Sequence, residues 1–162
     1  MPIGIKISAR FDGRKISRVS ESLKIELEKA RNESLELTRK ALMAESPSSR
    51  KGHKYSKNRI VNFLRAPSRC IRKIGRYSGY VFLNQKELPH LKYVIHGAKK
   101  HPIKGNPFLS FWWVREKTWF VGPQVNHPGF KSNNFITRAW LKVRGPVHNI
   151  YKKTFLKAVK MG

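Results

Sequence analysis

An α+β fold, with a long N-terminal helix and C-terminal helices packed on a mostly antiparallel sheet, is predicted by three patterns. Ile3, Ile5 and Ile7 alternate with Gly4, Lys6 and Ser8, the period-two signature of a half-buried strand. Ile16, Val19, Leu23, Leu27, Ala30, Ser34, Leu37 and Ala41 step by three and four, which puts them on one face of a helix. Short apolar runs then follow between Cys70 and Gly122, and a helical pattern closes the chain. The order strand, long helix, strands, helix suits helices packed on an antiparallel sheet.

Each element has its own local cause. Asp12-Gly13 turns the chain after the first strand. The long helix runs to about Ala44, roughly 45 Å at 1.5 Å per residue. Ile25, Leu35 and Leu42 form a weaker second stripe, which reads either as one wide core face or as a face for a neighbour. Pro47 with Ser48-Ser49 ends the helix. A basic loop follows at about 47–58. Ile60, Val61 and Leu64 suggest a short helix stopped before Pro67. Cys70 to Ile74 and Gly79 to Leu83 read as strands joined near Gly75–Ser78. Leu88 to Ile95 reads as a short helix capped by Gly97. Leu109 to Val114 and Thr118 to Gly122 form an aromatic hairpin around Arg115-Glu116-Lys117. Asn133 or Asn134 can cap a helix running to Val143, in which Phe135, Ala139 and Leu141 begin an apolar stripe. Gly145-Pro146 is expected to break that helix. Val147, Ile150, Tyr151, Phe155, Ala158 and Val159 then form a separate C-terminal helix at about 147–160.

The length of 162 residues suits one domain spanning 1–162. No run approaches the ~20 apolar residues needed to span a bilayer, so no membrane partner is expected. Met1-Pro2-Ile3-Gly4 lacks the apolar stretch of a signal peptide. Cys70 is the only cysteine, which excludes an intrachain disulfide and fits a reducing cytoplasm. The net charge of +26 is unevenly placed. Residues 1–46 hold ten Lys/Arg against seven acids, whereas residues 47–162 hold 25 against two. Such a surface calls for an anionic partner, either nucleic acid or an acidic protein face.

The chemistry-bearing residues point away from catalysis. Asp12 is the only Asp, and only Glu87 and Glu116 follow residue 46, so clustered carboxylates for a two-metal site are not expected. The six histidines lack the tight helical spacing of a zinc site. No catalytic, cofactor or metal residues are therefore assigned. The aromatics Phe108, Phe111, Trp112, Trp113, Trp119 and Phe120 read first as core, then as a subunit interface, and last as a nucleic-acid stacking platform. Alternate hairpin residues face opposite sides, so half of them should be core under any reading. The pairs Arg50-Lys51, Arg72-Lys73, Lys99-Lys100 and Lys152-Lys153 make a diffuse basic surface.

The segment from Val125 to Trp140 places Pro128-Gly129 ahead of a capped helix. His127-Pro128-Gly129, followed by Phe135-Ile136 and Ala139, resembles the C-terminal signature of a tailed-bacteriophage neck family, the head–tail joining or tail-completion proteins. Glu45-Ser46-Pro47 is similar to that family's Pro-containing loop after its long helix. Tyr93-Val94-Ile95-His96-Gly97 resembles its Tyr-x-x-x-x-Gly segment, and His101-Pro102-Ile103 its next block. The resemblance spans about residues 1–145. The chain departs from the family pattern at Ser48 to His53, where an Asp-Thr-Gly-x-Leu loop is usual, and at His96, where an acid is frequent.

The resemblance implies a non-enzymatic virion protein without cofactors, located in the neck or tail top and in the host cytoplasm during assembly. It implies a homo-oligomeric ring, six-fold in preference to twelve-fold, between head-connector and tail proteins, with non-specific contact to packaged DNA. Trp112, Trp113, His127, Phe130 and Phe135 are the expected ring-interface residues. Arg50, Lys51, Lys54, Lys57, Lys99 and Lys100 are expected to face DNA or a partner. The alternative is a basic nucleic-acid-binding module.

Overall fold

The computed structural model describes residues 3–8, 21–47, 60–113 and 116–160. The Asp12-Gly13 turn, the first turns of the long helix at Ile16 and Val19, most of the basic loop with Arg50, Lys51, Lys54 and Lys57, and Arg115 lie outside the described residues. The elements are β1 (Ile3–Ser8), α1 (Glu21–Glu45), α2 (Ile60–Arg65), α3 (Pro67–Cys70), β2 (Ile71–Ile74), β3 (Ser78–Leu83), α4 (Leu91–His96), β4 (His101–Trp113), β5 (Thr118–His127) and α5 (Phe135–Lys160). The fold is α+β with antiparallel sheets. The contacts divide the chain into two compact units: Met1–Leu91 with Asn134–Gly162, and Lys92–Asn133. The division arises because β4 and β5 pair with each other and not with the other strands.

In the larger unit the sheet has the order β1-β3-β2, fully antiparallel, with Ile5 and Ile71 both opposite Val81. The alternation read in β1 is realised: Ile5 and Ile7 are buried, while Gly4, Lys6 and Ser8 are exposed. Leu23, Leu27, Ala30, Leu35 and Leu42 of α1 are buried with Val81 and Leu83 in the core. Leu35 and Leu42 therefore belong to one wide core face, and only Ile25 of the second stripe is exposed. Three polar residues, Arg31, Ser34 and Thr38, join that face. The Thr38 hydroxyl donates to the Ser34 carbonyl at 2.8 Å, which satisfies it inside the helix. Arg31 donates to the carbonyls of Gly75 (3.1 Å) and Arg76 (2.7 Å), tying the β2–β3 turn to α1. Cys70 ends α3 instead of starting a strand, and burial pushes its thiol pKa up, which disfavours the reactive thiolate.

α5 differs most from expectation. It is one helix of 26 residues with Pro146 inside it, so Gly145-Pro146 does not break it and no separate C-terminal helix begins at 147. Phe135, Ala139, Val143 and Val147 are all buried and continue one stripe across the proline, while Gly145 and Pro146 face outward. Burial on both sides of the proline outweighs the lost backbone bond. Leu141, expected in the stripe, is exposed.

Glu45 fixes the start of α5 to the end of α1, since Arg138 reaches it at 2.9 Å and Lys142 also pairs with it. The two helices accordingly run antiparallel. Lys142 and then Arg138 hold the Glu45 carboxyl below its ordinary 4.5. A carboxyl lowered in the folded state stabilises above its unfolded pKa and loses that contribution as pH falls through the folded value. Glu45→Gln should thus lower the melting temperature at pH 7, and the difference should shrink as pH falls below 4.5 and through the lowered folded value; thermal melts down the acid limb test it.

Candidate functional site

The smaller unit brings together the two motif segments that lie some thirty residues apart in sequence. Gly97 closes α4, its N–H donating to the Tyr93 carbonyl at 2.7 Å. Ala98 and Phe130 then form an antiparallel bridge, each N–H donating to the other's carbonyl at 2.9 Å. Asn133 N–H donates to the Val94 carbonyl at 3.0 Å. The contact is backbone on backbone, and two glycines permit it. Gly97 (φ 78°) and Gly129 (φ 74°) are left-handed, which disfavours a side chain. A Cβ on Gly97 would lie 2.7 Å from the Phe130 oxygen, and one on Gly129 would lie 2.4 Å from the Ala98 oxygen.

His127 is the side chain that holds this joint. Its Nδ1 accepts the Gly129 N–H at 3.1 Å, which assigns the ring proton to Nε2. Opposite it in the ladder stands His101, whose Nδ1–H donates to the Lys99 carbonyl at 2.8 Å. The two imidazoles stack with centroids 5.0 Å apart, and Phe130 meets His127 edge-on at 6.1 Å. This arrangement orders a loop. Among the described residues no three His, Cys, Asp or Glu side chains come together as a metal-binding group. If the Nδ1 acceptor is what matters, His127→Asn keeps it, since an Asn oxygen also accepts the amide two residues on. His127→Ala should speed hydrogen exchange at the Gly129 amide about ten-fold, the loss of one hydrogen bond, while His127→Asn should stay near wild type.

The hairpin extends from this joint. It is longer than the sequence suggests, pairing His101 with His127 at one end and Trp113 with Thr118 at the other. Its ladder is interrupted between Lys104 and Leu109, and Pro102, Gly105, Pro107 and Pro123 hide the period-two pattern. One face packs Phe111 on Phe120 at 5.2 Å, with Trp113 edge-on to Phe120 at 5.7 Å. The other face carries Trp112 and Trp119, edge-to-face at 6.0 Å. This second face is open: Phe108 is 65% exposed, Trp112 49%, Trp119 65% and Val121 68%. Contiguous apolar patches of this kind mark interaction sites.

A further feature went unread in the sequence. Residues 105–113 and 118–130 contain no Asp, Glu, Lys or Arg, in a chain that is 27% charged. A scan for charge-free stretches would have found it. Lys99 and Lys100 are exposed beside the root of the hairpin. The two charge-free stretches offer no side-chain cation to a phosphate.

The expected interface residues therefore separate. Trp112 and Phe130 are exposed, Trp113 and His127 are half-buried within the smaller unit, and all four belong to the hairpin or its joint. Phe135 is corrected: at 0% exposure it opens the buried stripe of α5 and presents nothing to a neighbour. No described helix is long and apolar enough to cross a membrane. Comparison with protein-family models, with curated proteins and with solved structures finds no match for this chain.

Proposed function

We propose that this chain is a non-enzymatic structural protein of a bacteriophage neck, joining head connector to tail as a ring of identical subunits. The observation that carries the proposal is the aromatic hairpin, charge-free over residues 105–113 and 118–130, with the His127–Gly129–Gly97 joint formed from two of the segments that resemble the family. The larger unit serves as the rigid body. The hairpin supplies apolar contacts to the next subunit, or to the ring above or below. Heterologous contacts of this kind close into rings when the rotation allows. With +26 on each copy, like-charge repulsion opposes closure, and the charge-free stretches of the hairpin are where copies can approach.

Mass photometry and negative-stain imaging test this directly. Screening the repulsion with about 0.5 M salt should shift the protein from monomers to rings. A Trp112→Ser, Trp119→Ser double variant should stay monomeric while melting like wild type, because both side chains are solvent-exposed. A protein that remains monomeric at all salt concentrations and binds duplex DNA at micromolar levels in physiological salt would overturn the reading.

A further inference from the structure

The three-stranded sheet has a second face that the core meets only at Phe82, where the buried Phe63 packs edge-on at 6.3 Å between ring centroids. Ile5, Ile7, Val81 and Leu83 point inward. On the other side, Lys6, Tyr80 and Arg72 lie in one row across the three strands, with Lys6 and Arg72 each directly opposite Tyr80. Phe82 stands in the next row, 5.6 Å from Tyr80 between ring centroids. The Arg72 guanidinium lies over Phe82 at 5.2 Å and donates to the Ser68 carbonyl at 2.8 Å. Lys6 and Arg72 are exposed, and neither forms an ion pair among the described residues. The nearby Arg69 is neutralised by Glu87 and adds no free charge. At β1 the face adjoins a shallow groove of about 300 Å³, lined by Gly4, Ile5, Lys6, Ile136, Thr137 and the half-exposed Trp140.

Rings alternating with cations on a sheet suit one class of ligand. Bases stack on aromatic or guanidinium planes, and phosphates sit against the adjoining cations. Duplex DNA keeps its bases stacked on one another and could use only the cations. An acidic peptide likewise could use only the cations. We infer that the outer face of the β1-β3-β2 sheet binds single-stranded nucleic acid, with bases on Tyr80, Trp140 and the Arg72–Phe82 stack, and phosphates on Lys6 and Arg72. This site lies in the larger unit, includes no hairpin residue, and does not rest on the ring reading.

Fluorescence anisotropy with a labelled oligothymidine of about 15 nucleotides tests the site, using the same length of duplex DNA and of polyglutamate as competitors. The single strand should bind at least ten-fold more tightly than the duplex, and polyglutamate should compete poorly. Tyr80→Leu and Trp140→Leu should each weaken single-strand binding roughly ten-fold and leave duplex binding unchanged. Tyr80→Phe, which keeps the ring, should bind like wild type, which separates stacking from a folding defect. Replacing Lys6 and Arg72 together by Gln should reduce the slope of log affinity against log salt by about 1.4. Equal affinity for duplex or polyglutamate, or full single-strand affinity in the Tyr80→Leu and Trp140→Leu variants, would overturn the inference. The hairpin variant Trp112→Ser, Trp119→Ser should bind the oligonucleotide normally whether or not it forms rings.

Discussion

Gly129→Ala is expected to cost about 3 kcal/mol or more and to open the joint of the smaller unit. Two effects combine. An L side chain in the left-handed region costs roughly 1–2 kcal/mol. The added Cβ would also sit 2.4 Å from the Ala98 oxygen and 2.9 Å from the Lys100 nitrogen, so the two backbones must separate. Their separation breaks the paired Ala98–Phe130 hydrogen bonds, each worth about 1 kcal/mol net. Gly97→Ala meets the same bridge from the other side, at the Phe130 oxygen and the Ser132 nitrogen. The double variant should therefore cost little more than either single one, because the shared bridge is lost only once. Gly75→Ala is the comparison: its φ is 66°, but nothing lies within 4 Å of the added Cβ, so only the conformational cost of roughly 1 kcal/mol remains. Hydrogen exchange at the Ala98 and Phe130 amides reads the joint directly. Wild-type exchange in Gly129→Ala would show that the joint tolerates the side chain.

Phe135→Ala should destabilise the larger unit by about 3–5 kcal/mol, the range for deleting a fully buried aromatic side chain. Phe135 is completely buried at the first turn of α5, at the head of the stripe continued by Ala139, Val143 and Val147. Trp112→Ala, on the open hairpin face, should change monomer stability by less than about 1 kcal/mol despite removing a larger ring. Denaturant unfolding of the two variants side by side checks the contrast. A small loss for Phe135→Ala, with a large loss for Trp112→Ala, would reverse the assignment of core and interface.

The pair also marks how far periodicity carries a reading. Phe135 sits beside the Pro-Gly loop in sequence, and nothing local tells a core anchor from a docking residue; the register of α5 against α1 decides it. The same tertiary packing keeps α5 continuous through Gly145-Pro146, where local propensity alone stops a helix. The β1 alternation and most of the α1 stripe were legible from the spacing of their apolar residues, and the β2–β3 strands from the short apolar runs around Ile71, Ile74 and Tyr80 to Leu83. Leu35 and Leu42 were assigned to a weaker stripe because Arg31, Ser34 and Thr38, polar residues in the core, mask the true centre of the face. Arg31 itself could not be foreseen, since its carbonyl partners are 44 and 45 residues away. At the candidate site the motif segments were visible, but their meeting at two glycines was not, because a backbone bridge leaves no side-chain pattern to read.

Immunogold electron microscopy of intact tailed particles produced with this chain bears most directly on the proposed role. Labelling confined to the junction of head and tail is the expected result. Particles that join normally and carry no label, with the protein recovered only from the unassembled fraction, would contradict it.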